Sequence, residues 1–361
     1  MASPRETTLQ FESSGRPDVV DVRRALAESP AGREILDNRY RRLLCVSYHT
    51  TAGYLDPVLH ERFSHDVDRL ESFLEALSEL FPPEAGYEHD RLDLREELSE
   101  EQRAQEPLNA DSHLAFIGAG FTSCVSYANR AEEPMWFVDL DGTYRDQDDR
   151  EIRRRRRTTV VGYRDEEVVA NLPLAVPVNG SHVESVNLED DQVGLLERAQ
   201  ELVRSHGVST GRVVLELEPG ERDAGLTVNE FEPLLVKRDL TRMLEDPLRF
   251  VAEGGREFLR SPGQVASRAM DHVRHDASQV LQKMFRAMGM EESLPERAIR
   301  RAAGLPRVLR VSREVSLPVL NGEGDGPGQI QQGTYQSPIL MQWARSSRGA
   351  RKVRVRVTRF I

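Results

Sequence analysis

Three histidines stand where the chain changes character, and each brings polar neighbours suited to chemistry. His49 is followed by Thr50 and Thr51 at the end of a strand-like run, so an imidazole and two hydroxyls are presented just past a sheet edge. His89 lies in Tyr87-Glu88-His89-Asp90, after the helix stop made by Pro82 and Pro83. His113 closes Asn109-Ala110-Asp111-Ser112-His113, which opens an apolar stretch with Asn or Asp as a helix cap. Neutral imidazoles from three such junctions can converge on a metal or move protons, and charged ones can hold phosphate. Each also has a plainer reading: His49 as a satisfied core residue, His89 and His113 as capping or loop residues. His60 and His65 read as solvated neighbours on a helix. Cys45 and Cys124, the two cysteines, sit in apolar contexts and read as buried, reduced thiols.

The elements that must position these residues come in two similar sets. An extended run ending in Ala-Gly occurs at Ala52-Gly53 and again at Ala224-Gly225. A basic or His residue followed by Asp then opens an amphipathic segment, at His65-Asp66 and at Arg238-Asp239. Gly-Thr-Tyr followed by an arginine-rich strand closes both halves, from Gly142 and from Gly333. Repetition of this kind predicts two domains, 1–170 and 171–361, with a helical insertion near 247–310 in the second. Val353, Val355 and Val357 alternate with Lys352, Arg354 and Arg356, and Val213, Leu215 and Leu217 behave similarly, so strands dominate each half. The fold class expected is mainly β with helices (α+β). Within the insertion, Val265, Met270, Val273, Ala277, Val280, Leu281, Met284, Phe285 and Met288 fall near a helical repeat and read as a packing face.

Composition sets limits. With 361 residues and 39% hydrophobic content, both halves can bury a core. A net charge of -11 argues against general nucleic-acid binding, which needs a basic footprint. No apolar run approaches a membrane span and no leader opens the chain, so no membrane partner and a cytoplasmic location are expected. The run Arg153 to Arg157 must point to both faces of a strand. It reads as a surface or interface strand paired with carboxylates, with phosphate or nucleic acid as alternatives.

The ordered set HTTAG from His49, YEHD from Tyr87, NADSH from Asn109 and GTY from Gly142, with an arginine-rich last strand, resembles the YjbQ family of secondary thiamine-phosphate synthase enzymes. The resemblance covers most of residues 5 to 165 and, more weakly, 171 to 361. It implies two jelly-roll-like β-sandwich domains in tandem and a homo-oligomer, with a trimer favoured. It also implies a polar site that holds a divalent metal, magnesium or zinc, or a phosphorylated small molecule. The first half lacks the family's Asn-Glu pair and has Arg145 where the family has Gln, while Glu151 keeps the family's later Glu. The second half keeps Asn229-Glu230 and Gln336 but has Glu221 near the first histidine's place and Gln342 near the later Glu. His275-Asp276 is its nearest counterpart of the YEHD segment.

The catalytic set expected is His49, His89, Asp90, Asn109, His113 and Glu151, with His49, His89 and His113 as metal ligands. Thr50, Thr51, Arg145, Glu230 and Gln336 are expected to bind the cofactor or substrate. Complementary loss leaves two arrangements open: a composite site between the halves, or a weakened site in the first half beside a structural second half. The expected activity is thiamine-phosphate-type transfer from a pyrimidine pyrophosphate to a thiazole phosphate, or related metal-assisted phosphate chemistry. The alternative is a non-catalytic binding or assembly protein.

Overall fold

The computed structural model describes residues 3–63, 66–146, 150–245, 250, 279–280, 283–288, 309–321 and 326–361. The chain is α+β, built from two sandwiches with helices packed between them. In the first half the strands are β1 (Arg5–Glu12), β2 (Asp18–Asp21), β3 (Arg42–Ser47), β4 (Ala52–Tyr54), β5 (Cys124–Ala128), β6 (Trp136–Asp139), β7 (Thr143–Arg145), β8 (Glu151–Arg153) and β9 (Arg155–Tyr163). In the second they are β10 (Glu166–Pro177), β11 (Glu184–Asn187), β12 (Gly211–Leu217), β13 (Ala224–Asn229), β14 (Glu314–Leu320), β15 (Gln329–Ile330), β16 (Ser337–Gln342) and β17 (Ala350–Phe360).

The larger sheet of the first half runs β1-β9-β3-β5, and that of the second runs β10-β17-β12-β14-β15. The smaller sheets run β2-β6-β4 and β11-β16-β13. The opening strand lies beside the closing one in both halves, and the Ala-Gly strand lies at one edge of both smaller sheets. Glycine in the Ala-Gly pair has a physical cause in each half. A Cβ on Gly53 would lie 2.6 Å from the Thr122 carbonyl oxygen, and one on Gly225 would lie 2.2 Å from the Val311 side chain. The next residues, Tyr54 and Leu226, bridge Thr122 and Ser312 in the same way.

Alternation along the strands fills the sandwiches. Val353, Val355 and Val357 of β17 join Val213, Leu215 and Leu217 of β12 in one apolar core, while Arg354 and Arg356 face out to Glu218, Glu216 and Glu314. Tyr163 and Phe360, which end the two closing strands, stack at 3.8 Å and join the large sheets.

Between the smaller sheets lies a helical layer. It comprises α3 (Pro57–Phe63), α4 (Val67–Leu80), α5 (Glu100–Gln105) and α6 (Ala110–Ala119) from the first half, whose α1 (Val22–Ala27) and α2 (Pro30–Ile35) pack instead on its large sheet. The second half adds a π-helical turn over Leu235–Asp239 and α8 (Leu240–Glu245), while its α7 (Leu195–Ser205) packs on its own large sheet. Asp66 caps α4 through the Arg69 amide, and Leu70, Phe73, Leu74, Leu77 and Leu80 give the helix one buried face. α6 is buried on every side and ends at Gly120, whose φ of +71° suits glycine. In the expected insertion, Met284 and Met288 are buried in the same core and Val280 and Phe285 pack against it, as a packing face requires. The remaining positions of that stripe, and His65 and His275-Asp276, lie outside the described residues.

Two expectations are corrected. His60 is not solvated: it is 6% exposed and stacks on Tyr127 with ring centres 4.0 Å apart, because α3 turns that face inward. The two Gly-Thr-Tyr segments do not correspond, since Gly142 follows β6 whereas Gly333 precedes β16. Gln342 therefore matches not Glu151 but Asp139, the two lying opposite the alanines of the two Ala-Gly pairs, Ala224 and Ala52. Residue 170, the expected boundary, falls inside β10, and the turn between the closing and opening strands is at Arg164-Asp165. Among the described residues no helix is long and apolar enough to cross a membrane.

Candidate functional site

His113 is carried on the first turns of α6. Its N-terminus is held by Asp90 rather than by Asn109: the Ala110 amide donates to Asp90 Oδ1 at 3.0 Å. Asn109 instead turns its amide nitrogen to Asp141 Oδ2 at 2.8 Å. His89 lies in the segment before α5, and both its own amide and that of Glu88 donate to Asp239, at 2.9 and 3.0 Å. Asp239 of the Arg238-Asp239 pair is thus a clamp on the first half's histidine, not a helix cap.

Across from these residues, β13 ends at Asn229 and is followed by Glu230 and Glu232. His113 Nδ1 bonds to Asn229 Oδ1 at 2.7 Å. The same oxygen accepts from the Glu230 amide, while Asn229 Nδ2 donates to the Thr50 carbonyl at 2.8 Å. These partners fix the Asn229 orientation, so His113 Nδ1 must be the donor. His89 Nδ1 bonds to Glu232 Oε2 at 2.8 Å. With both Nδ1 atoms committed, the Nε2 atoms face inward. His89 Nε2 is buried without a hydrogen-bond partner, and His113 Nε2 lies 3.5 Å from Glu230 Oε2. One atom from each of His89, His113 and Glu230 lies within 4.8 Å of the other two.

The electrostatics follow from burial and neighbours. Both imidazoles are 1% exposed. Burial, with the His89 charge beside it, drives the His113 ring well below its ordinary value. Burial acts on His89 too, but the hydrogen bond to Glu232 and the charge of Glu230 outweigh it and leave the ring raised. Burial pushes Asp90 up to about 6. The guanidiniums nearby are engaged: Arg16 with Asp111 at 2.6 Å, Arg154 with Asp141 at 2.7 Å, and Arg95 with Glu230 at 3.0 Å.

Of the residues expected from sequence, His89, His113 and Glu230 come together, and Asp90 and Asn109 support them through α6. His49 does not join. It is not the third histidine of the group, because its Nε2 accepts the Arg157 amide at 3.0 Å and its lone pair is spent inside its own sandwich. Thr50 contributes its carbonyl to Asn229, and Thr51 is buried with its carbonyl taken by the Leu140 amide. Gln336 is a clamp whose amide nitrogen donates to the Ser47 and His49 carbonyls at 3.1 and 2.9 Å. Glu151 and Arg145 face each other across the exposed β7-β8 hairpin, with Glu151 3.6 Å from Arg153. In the arginine run, Arg156 is buried on Asp139 and Arg154 half-buried on Asp141, while Arg153, Arg155 and Arg157 face out. This is the carboxylate-paired strand expected of it. Glu232 and Arg95, each among many charged residues, had no signal in the sequence, and Asp239 was legible only as the opener of an amphipathic segment; chain crossing gives all three their place beside the histidines.

Comparison with family models finds no match, and no curated protein matches the chain. Solved structures do show likeness. A YbjQ-like protein of unknown function from Sulfolobus solfataricus P2 is 15% identical, covering 54% of this chain and 99% of that one, with a TM-score of 0.30. A hypothetical protein from Aeropyrum pernix K1 is also 15% identical, covering 52% and 98%, with a TM-score of 0.28. An uncharacterized conserved protein of the yjbq family from Clostridium acetobutylicum is 16% identical over 52% and 99%, with a TM-score of 0.26. Each is similar to about half of this chain over nearly its own whole length.

Proposed function

We propose that this chain is a metal-dependent enzyme acting on a phosphorylated small molecule, with His89, His113 and Glu230 holding one divalent cation between the two halves. The observation that supports it is the convergence of two imidazole Nε2 atoms and a carboxylate oxygen, with each Nδ1 held by an outer partner. Outer hydrogen bonds of this kind fix the tautomer a metal-binding histidine needs. Two nitrogens and one oxygen suit zinc better than magnesium, which takes oxygen ligands. Three protein ligands also leave a position for substrate, as catalytic zinc sites do. A bound cation would supply Lewis acidity toward a phosphoryl oxygen. The chain's own residues orient the rings through Glu232 and Asn229, and fix the His89 backbone through Asp239.

The phosphorylated substrate, the thiamine-phosphate-type transfer, a trimeric association and a cytoplasmic location rest on the resemblance in sequence and composition. The common strand order of the halves supports an origin by tandem duplication with a division close to residue 170. It also supports the composite arrangement, in which the second half supplies what the first lost. A second reading, a non-catalytic binding or assembly protein whose cation is structural, is favoured by the near-complete burial of both imidazoles.

The test is metal content of the purified chain, followed by thiamine-phosphate formation from the pyrimidine pyrophosphate and thiazole phosphate, each measured beside His113→Ala. Near-stoichiometric zinc and turnover, both lost in the variant, are the expected outcome. Zinc without turnover would favour the second reading, and a wild type that retains no cation would overturn the metal centre.

A further inference from the structure

Glu230 offers two carboxylate oxygens, and they meet different partners. Oε1 accepts from Arg95 Nη2 at 3.0 Å, while Oε2 lies 3.5 Å from His113 Nε2. Arg95 comes from the segment that runs between the two histidines, just after the 3₁₀ turn Leu92–Leu94, and is only 3% exposed. Every nitrogen of its guanidinium is engaged: Nε with Glu97 Oε1 at 2.7 Å, Nη1 with Glu106 Oε1 at 3.2 Å and Nη2 with Glu230. Its carbonyl accepts from Arg103 Nη2 at 2.9 Å, which ties the backbone down as well. A planar fork held on three sides cannot swing away without losing several charge-assisted bonds.

We propose that Arg95 determines the cation specificity of the His89, His113 and Glu230 group by holding one Glu230 oxygen, so that the other alone is presented to the cation. This rests on the metal reading above. Large oxygen-preferring cations gain from bidentate carboxylates and high coordination number, whereas zinc in a four-coordinate site needs one oxygen from each carboxylate. With Oε1 carrying a charge-assisted bond from a buried, anchored guanidinium, that oxygen is a weaker and less movable second ligand, so bidentate coordination by Glu230 is disfavoured. Arg95 thus favours zinc or cobalt over manganese without touching the metal.

The experiment measures zinc, cobalt and manganese affinities by competition on the full chain, for wild type and Arg95→Gln. Outer-sphere partners typically change metal affinity about 10- to 100-fold, and the zinc-to-manganese ratio is expected to narrow by about that factor in the variant. The visible absorption of the cobalt form is expected to weaken as its coordination number rises. Glu97→Gln with Glu106→Gln removes the other two anchors without altering Glu230 and is expected to narrow the ratio in the same direction but by less than Arg95→Gln, because Arg95 keeps its bond to Glu230 while losing what fixes it. Should Arg95→Gln not fold, Arg95→Lys serves, since the three donors of an ammonium radiate from one atom and do not match the spread of the planar fork, and a smaller narrowing is expected. Cation uptake by wild type with an unchanged ratio and cobalt spectrum in a folded Arg95 variant would overturn the assignment of Arg95 and leave the metal reading standing. No uptake by wild type would remove both.

Discussion

His49 shows how one hydrogen bond reassigns a residue. Its Nε2 accepts the Arg157 amide, and burial, helped by the Arg156 charge, lowers the ring from its ordinary 6.5 to about 4. In the unfolded chain the ring gains a proton as pH falls through 6.5, while in the folded chain it resists until about 4. The unfolded state therefore binds more protons in that window, and stability falls with pH across it by up to about 3 kcal/mol. Denaturation of wild type and His49→Gln, compared at neutral pH and again at about pH 4.5, should show a wild-type advantage that shrinks in acid. An advantage independent of pH would mean that His49 is not held neutral. His113→Ala and Glu230→Gln are expected to cost cation binding, because these side chains have their free atoms turned toward each other.

At the scale of elements, close backbone approach explains glycines that the sequence displays without a reason. A Cβ on Gly333 would lie 2.0 Å from the Tyr48 carbonyl oxygen, where the loop before β16 crosses the end of β3. Gln336 reinforces the same crossing through the Ser47 and His49 carbonyls. Gly333→Ala is expected to destabilise the chain by about 3 kcal/mol or more, because backbone on both sides must move. Gly326→Ala, with nothing within 4 Å, should change stability by less than about 0.5 kcal/mol. Chemical denaturation of both variants decides the point, and equal stabilities would show that the crossing yields. The Gly-Thr-Tyr likeness was therefore real as a string and misleading as a register. Gly333 is required by contact with the other half, whereas a Cβ on Gly142 would lie 2.3 Å from the Gly15 carbonyl oxygen within its own half.

For the whole molecule, a cation at the proposed centre would bridge the halves, since its ligands come from α6 and its preceding segment on one side and from the end of β13 on the other. A ligand that binds only the folded state at about 100 times its dissociation constant adds about 2.7 kcal/mol. Calorimetric melting with zinc and then with chelator should differ accordingly, and Glu230→Gln should abolish the difference. A chelator-insensitive melt of zinc-loaded protein would rule out such a bridge. The sequence by itself determined the strand-rich α+β class, the buried apolar faces of β12 and β17 and the Asp66-led helix, and it singled out His89, His113 and Glu230, which the fold brings within 4.8 Å of one another. These are legible because period, capping and residue type act over a few neighbouring positions. Only the tertiary structure decided that His49 stands apart, that Gln342 matches Asp139, and that Glu232, Asp239 and Arg95 reach the histidines. Those outcomes depend on which segments cross in space, more than 100 residues apart along the chain in most cases, and local sequence carries no record of that crossing.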